Sequence, residues 1–121
     1  MVFSVGDFDI ITAKLQESDW RNILAEISPE DFGNIVAHVH RDTDQPRIAE
    51  LLAQHALQDR FTCAFGRAAI HNCADWNRPA MVQRILPHCV DRATKYPILL
   101  DELNDWETTV TQSDFEQWIQ P

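Results

Sequence analysis

The chain is short of the residue that sharp turns require. Only three of its 121 residues are glycine. A fold built on β-hairpins usually needs more, because glycine readily adopts the positive φ angles of tight turns. Three scattered glycines also exclude a glycine-rich loop that cradles phosphate. The composition therefore favours helices over strands.

Long apolar segments are absent as well. No run approaches the roughly 18 apolar residues that a membrane-spanning helix needs. The start of the chain, MVFSVGDFDI, lacks the basic segment and long apolar core of a secretory signal peptide. We therefore expect a cytoplasmic protein that does not bind membranes. In that compartment Cys63, Cys73 and Cys89 would stay reduced.

Motifs for catalysis and metal binding are also missing. The sequence has no G-x-S-x-G nucleophile motif, no phosphate-binding loop, no C-x-x-C pair and no H-E-x-x-H motif. His38 and His40 lie two positions apart, which separates them by about 200° on a helix, so they cannot share a metal ion. We expect no catalytic residue, metal site or cofactor. An enzyme with a dispersed cysteine and histidine site is one alternative that the sequence leaves open.

Charge gives a clearer signal. The formal net charge is −9, with acidic excess in residues 1–46 and 96–121 and a mildly basic segment at 47–95. Phosphate backbones repel such a chain, so we expect no nucleic-acid ligand. The acidic ends would instead attract a basic protein partner. A further alternative is an acidic nucleic-acid mimic that inhibits a nucleic-acid-binding protein.

Helix signals recur along the whole chain. Ser28-Pro29 combines an N-cap with a proline in the first turn, and Pro46 and Pro79 begin two further helices. Apolar residues follow each signal at helical spacing. We predict about eight short helices joined by short connections. The expected fold is an all-α single domain, residues 1–121, of stacked antiparallel helical hairpins.

Helix ends can be predicted in several places. Ser18 and Asn77 are candidate N-caps. Pro97 is expected to begin a helix that continues to Trp106. The spacing of Ser113 and Glu116 resembles a capping box, which predicts that a short last helix begins there.

The segment 66–91, GRAAIHNCADWNRPAMVQRILPHCVD, resembles one ankyrin repeat. Gly66 matches the turn glycine, residues 68–71 stand in place of Thr-Pro-Leu-His, and residues 73–74 match the paired small residues. A weaker copy covers residues 33–57. Its glycine aligns with Gly66 and its second-helix apolar pattern at 48–52 aligns with 82–86, so we expect its inter-helix region to be shorter by one position. The chain thus resembles an ankyrin-repeat protein or a related α-solenoid.

This resemblance implies a division of the domain and a mode of action. Residues 29–57 and 60–91 would form repeat-like hairpins, and residues 1–27 and 95–119 would form capping helices. Ankyrin repeats bind other proteins, so the resemblance implies a small interaction module. An inhibitor, immunity or adaptor protein that occludes a partner's surface fits it best.

Candidate partner-binding residues come from the same resemblance and from interface chemistry. Asn72, Asp75 and Trp76 match concave-face positions of the repeat, and Arg60 belongs to the loop before it. Trp76 and Arg78 lie at the expected hairpin tip, and both residue types are enriched at interface hot spots. Trp118 lies on a terminal apolar helix that could dock on a partner or on a second copy, so a homodimer is possible.

Overall fold

Every regular element that the structure describes is a helix. The computed structural model describes residues 7–119, apart from the side chain of Asp7, and contains no strand within them. The predicted all-α single domain is confirmed. The α-helices are α1 (Asp7–Leu15), α2 (Ser18–Ala25), α3 (Pro29–Ala37), α4 (Gln45–Leu52), α5 (Cys63–Asn72), α6 (Arg78–Ile85), α7 (Arg92–Lys95), α8 (Pro97–Leu100) and α9 (Asp105–Ile119).

Two hairpins repeat in a common register. A 3₁₀ turn at Asp42–Asp44 leads into α4, and an equivalent turn at Asp75–Asn77 leads into α6. Because α4 and α6 have equal lengths and follow these turns directly, Gln45 aligns with Arg78 and the two helices match end to end. The predicted alignment, which is shifted by one position, and the shorter first inter-helix region are therefore wrong. The observed register aligns Leu51 with Arg84, whereas the predicted register aligns it with Ile85, so matching apolar residues favoured the wrong register.

The hairpins stack in two helix layers. In the first layer α3 packs on α5, and α5 packs on α8. In the second layer α4 packs on α6, and α6 packs on α9. At the N-terminal side α1 packs against α4, while α2 packs against α1 and the π-helical segment Ala53–Leu57.

The core lies between these layers. Phe32, Phe61 and Phe65 form an aromatic cluster in which Phe32 meets the other two rings edge-on, at centroid distances of 5.5 and 5.8 Å. Gly66 allows α5 to approach its neighbours closely. A Cβ atom at that position would lie 3.2 Å from both the Cδ1 atom of Ile85 and the Cδ2 atom of Leu99.

The predicted N-cap at Ser28 is confirmed, whereas the predicted N-cap at Ser18 is wrong. The Ser28 hydroxyl accepts a hydrogen bond from the Asp31 backbone N–H at 3.1 Å, and the Ser28 N–H donates to the Asp31 carboxylate at 3.5 Å. This is a complete capping box. Ser18, in contrast, is the first residue of α2, and its N-cap residue Glu17 makes no side-chain cap hydrogen bond.

The C-terminal helices differ from the prediction. The helix that begins at Pro97 ends at Leu100, and Trp106 belongs to α9. Ser113 lies inside α9 and caps no helix. The capping box is instead formed by Asn104 and Glu107, whose side chains accept each other's backbone N–H groups at 2.8 and 2.9 Å. The pairs Asn104–Glu107 and Ser113–Glu116 have the same spacing of three positions. The first pair lies where α9 begins and packs against α6, and it forms the capping box.

Candidate protein-binding surface

A buried polar contact joins the two complete hairpins at their turns. Gln45 is only 3% exposed, and its side-chain oxygen accepts hydrogen bonds from the Ala74 N–H and the Asn77 amide, each at 2.9 Å. The Asn77 amide also donates to the Asp42 carbonyl. The sequence predicts that the Asn77 side chain caps α6, but Asn77 makes no such hydrogen bond. Its amide instead binds Asp42 and Gln45, which connects the start of α6 to the preceding hairpin.

The next contact in the stack is an ion pair. Arg78, the first residue of α6, is equivalent to Gln45, the first residue of α4, and it also reaches the next unit. Its guanidinium donates to the carboxylate of Asp75 at 2.7 Å and to that of Glu107 at 3.4 Å. The Glu107 side chain is 5% exposed, whereas that of Asp75 is 87% exposed. Arg78 thus fixes the turn Asp75–Asn77 against the start of α9.

Two tryptophans flank this ion pair and point into solvent. Trp76 follows Asp75 and is 62% exposed; Trp106 precedes Glu107 and is 68% exposed. Since one guanidinium binds both carboxylates, the backbone at Trp76 and the backbone at Trp106 lie at the same end of neighbouring units. Val110, one helical turn after Trp106, is also exposed. We call Trp76, Trp106 and Val110 the turn surface.

The surroundings of the turn surface are acidic. Asp42 and Asp75 begin the two 3₁₀ turns, Asp105 begins α9, and all three are exposed. Arg78 is engaged with Asp75 and Glu107, and Arg41 lies beside Asp42. Large exposed apolar side chains with a charged rim are typical of protein-interaction sites.

The structure brings three predicted binding residues together and places the others elsewhere. Asp75, Trp76 and Arg78 share the turn that leads into α6. Asn72 lies on the first-helix layer, where its side-chain amide donates to the Ala68 carbonyl at 2.8 Å. Trp106 was not among the predicted binding residues. Asp-Trp occurs at 75–76 and 105–106, but Trp76 precedes α6 whereas Trp106 is the second residue of α9.

Arg60 and Trp118 take part in packing within the chain. The Arg60 guanidinium donates to the carbonyl oxygens of Ala25 and Ile27, so it satisfies backbone groups at the end of α2. Trp118 is half-buried against the core, and its carbonyl accepts a hydrogen bond from Arg92 at 2.7 Å. Neither residue belongs to the turn surface.

A second polar cluster lies on the exposed face of α5. The Glu102 carboxylate accepts hydrogen bonds from Arg67 and His71, each at 3.0 Å. Burial by itself would raise the pKa of Glu102, but the hydrogen bonds from His71 and Arg67 outweigh it, and the pKa lies below its ordinary value. The cluster joins α5 to the segment after α8.

The cysteines are buried thiols, and two of them have raised pKa values. All three are buried. Burial raises the pKa of Cys73 to about 12, and a hydrogen bond with Cys63 together with burial raises the pKa of Cys89. Reactive cysteines need the opposite shift, because the thiolate is the nucleophile. Within residues 7–119, His, Cys, Asp and Glu form no group of three or more that could hold a metal ion.

Among residues 7–119, no helix combines the length and the hydrophobicity that a membrane span requires.

Comparison with known proteins assigns no relative to this chain. No protein-family model matches it. Neither the curated proteins nor the solved structures give a significant match.

Proposed function

We propose that this protein is a small protein-interaction module that binds its partner through the turn surface. The observation that carries the proposal is the pair of exposed tryptophans, Trp76 and Trp106, in neighbouring units of one stack. Tryptophan is the residue type most enriched among interface hot spots, because it buries a large rigid area at a low cost in side-chain entropy. Leaving two such rings in water has no stabilising effect on the isolated chain.

The frame beneath the tryptophans supports this function. Arg78 ties the turn of Trp76 to Glu107, and the Asn104–Glu107 capping box fixes the first turn of α9 beside Trp106. Backbone segments held in this way lose little further freedom on binding. The turn surface is therefore preorganised for a partner.

The proposed partner is a basic protein in the cytoplasm. The exposed carboxylates of Asp42, Asp75 and Asp105 and the net charge of −9 would accelerate its association. The common register of the two hairpins and the two helix layers support an ankyrin-like stack, a scaffold suited to inhibitor, immunity or adaptor roles. The proposed mechanism is occlusion: the turn surface covers the site through which the partner acts.

The test uses both tryptophans and leaves Arg78 intact. Replacing Arg78 would leave Glu107 buried without its partner, and loss of folding could then be mistaken for loss of binding. We therefore compare wild type with the double variant Trp76→Ala, Trp106→Ala. The control is Val90→Ala, which removes an exposed apolar side chain elsewhere.

A photo-crosslinking residue at exposed position 109, one helical turn after Trp106 on α9, would identify the partner in lysate of the native host and leave both tryptophans in place. The same residue at exposed position 83 is the reference. Binding of the purified partner is then measured by calorimetry. We expect the double variant to bind at least about 30-fold more weakly, the effect of losing one hot spot or more. Equal affinity of wild type and the double variant would overturn the proposal.

A further inference from the structure

The first helix layer is open on one side of α3. The face of α3 that carries Phe32 and Gly33 packs against α5. The opposite face carries Ile35 and His38 and borders a cleft of about 390 Å³ whose far wall is α2. Because α2 packs mainly against α1 and Ala53–Leu57, it leaves this side of α3 accessible. We call this space the α2–α3 cleft.

Apolar side chains line the cleft at helical spacing. They are Trp20, Ile23, Leu24 and Ile27 on the α2 side and Ile35 on α3. Ile23 is 57% exposed, which is unusual for isoleucine in a folded domain. Residues spaced by three and four positions form a ridge of the kind that a partner helix packs against.

The rim of the cleft is acidic. Asp31 lines the cleft. The carboxylates of Asp19, Glu26 and Glu30 are exposed, and each directly neighbours a lining residue along the chain. Arg21 lines a different cavity, with Leu15 and His55. Lys14 lies 4.8 Å from the centroid of the Trp20 ring, and its charge is paired with the Glu17 carboxylate at 3.8 Å. A partner with basic residues beside an apolar stripe would therefore complement both the apolar lining of the cleft and the carboxylates around it.

We propose that the α2–α3 cleft binds an amphipathic, basic α-helix of a partner protein. A helix laid there would continue the layer formed by α3, α5 and α8, since it would cover the face of α3 opposite α5. Recognition of an amphipathic helix by an apolar groove is an established binding mode, with anchors at every third or fourth residue. The cleft is separate from the turn surface and does not depend on the function proposed for it.

A second copy of the chain matches the cleft less well. Its net charge of −9 opposes self-association at an acidic rim. We therefore commit to a basic helix and treat self-association as an outcome of the test.

The probe is a fluorescein-labelled peptide of about four helical turns, with leucine at positions i, i+3, i+4 and i+7 and lysine elsewhere. Fluorescence anisotropy measures its affinity for the full chain. A peptide of the same composition with a scrambled order keeps the charge but loses the apolar stripe. We expect the scrambled peptide to bind at least tenfold more weakly.

The deciding variant is Ile23→Asp. It adds negative charge and would tighten purely electrostatic binding, but it removes the central apolar contact, so we expect at least a tenfold loss of affinity. The control Val90→Asp adds the same charge at another exposed position and should bind as wild type does. The double variant Trp76→Ala, Trp106→Ala should also bind normally, which separates this proposal from that of the turn surface.

Three results would overturn the proposal. The first is absence of peptide binding. The second is equal affinity of the scrambled peptide or of Ile23→Asp, which would show that charge alone attracts the probe. The third is a wild-type dimer in sedimentation velocity that Ile23→Asp converts to monomer, which would assign the cleft to a second copy.

Discussion

Arg78 and Glu107 connect the second helices of neighbouring units through an ion pair, with 3.4 Å between Nη1 and Oε2. Gln45 makes the corresponding contact one unit earlier, with Asn77 at 2.9 Å. The same position of the repeat thus reaches the same part of the next unit with different chemistry. Because buried polar groups require partners, these contacts allow one register of stacking and disfavour others.

Loss of the Glu107 carboxylate should destabilise the fold strongly. Glu107→Ala leaves Arg78 without its buried partner and removes half of the capping box at Asn104. We expect the free energy of unfolding to fall by about 2–4 kcal/mol, measured by urea denaturation. Asp75→Ala is the matched control at the other end of the same guanidinium. Its exposed carboxylate should contribute less than about 1 kcal/mol. Similar losses for the two variants would contradict this assignment.

The Gln45–Asn77 contact should show strong energetic coupling. Gln45→Ala leaves the Ala74 N–H, the Asn77 amide and the Val36 carbonyl without their side-chain partner, and should cost about 3 kcal/mol. In a double-mutant cycle with Asn77→Ala, we expect the double variant to lose about 1–2 kcal/mol less than the sum of the single losses. Additive losses would mean that the two side chains stabilise the stack independently.

The three cysteines should resist alkylation until the chain unfolds. Burial excludes the reagent, and the raised pKa values of Cys73 and Cys89 keep these thiols protonated near neutral pH. We expect negligible reaction with iodoacetamide at pH 8 in native protein, and modification of all three residues in guanidinium chloride, counted by mass spectrometry. Rapid modification of one native cysteine would favour the enzyme alternative with a dispersed cysteine and histidine site.

Glu102 should contribute pH-dependent stability. Its pKa is lowered in the folded state, so its contribution is fully present above its ordinary value of 4.5 and is lost as the pH falls through the folded value. We expect Glu102→Gln to be less stable than wild type by up to about 1 kcal/mol at pH 7, because Arg67 and His71 are largely exposed.

The difference between wild type and Glu102→Gln should vanish in acid. Urea denaturation at several pH values below 4.5 measures it, and Arg67→Ala should remove part of the same difference. A gap between wild type and Glu102→Gln that persists unchanged in strong acid would indicate a role other than that of a carboxylate.

The register in which α4 aligns with α6 was predicted incorrectly from the sequence. The resemblance of residues 33–57 to 66–91 predicts two helical hairpins in which residues 48–52 of α4 align with residues 82–86 of α6. The turns at Asp42–Asp44 and Asp75–Asn77 show that Gln45 aligns with Arg78, and the 33-residue spacing of Pro46 and Pro79 in the sequence marks the same register. Both helices contain adjacent apolar residues, which made the apolar pattern a poorer guide to the register than the two prolines.

The sequence by itself determined the features that depend on a few adjacent residues. These include the all-α class, the Ser28 capping box and the helix starts marked by Pro46 and Pro79, because caps and prolines act within one helical turn. The tertiary structure alone decided the partner of Arg78, the position of Trp76 and Trp106 on either side of one ion pair, and the cleft between α2 and α3. The first two depend on side chains that are distant along the chain and meet only when the units stack. The cleft depends on how α2 packs, which no local pattern encodes.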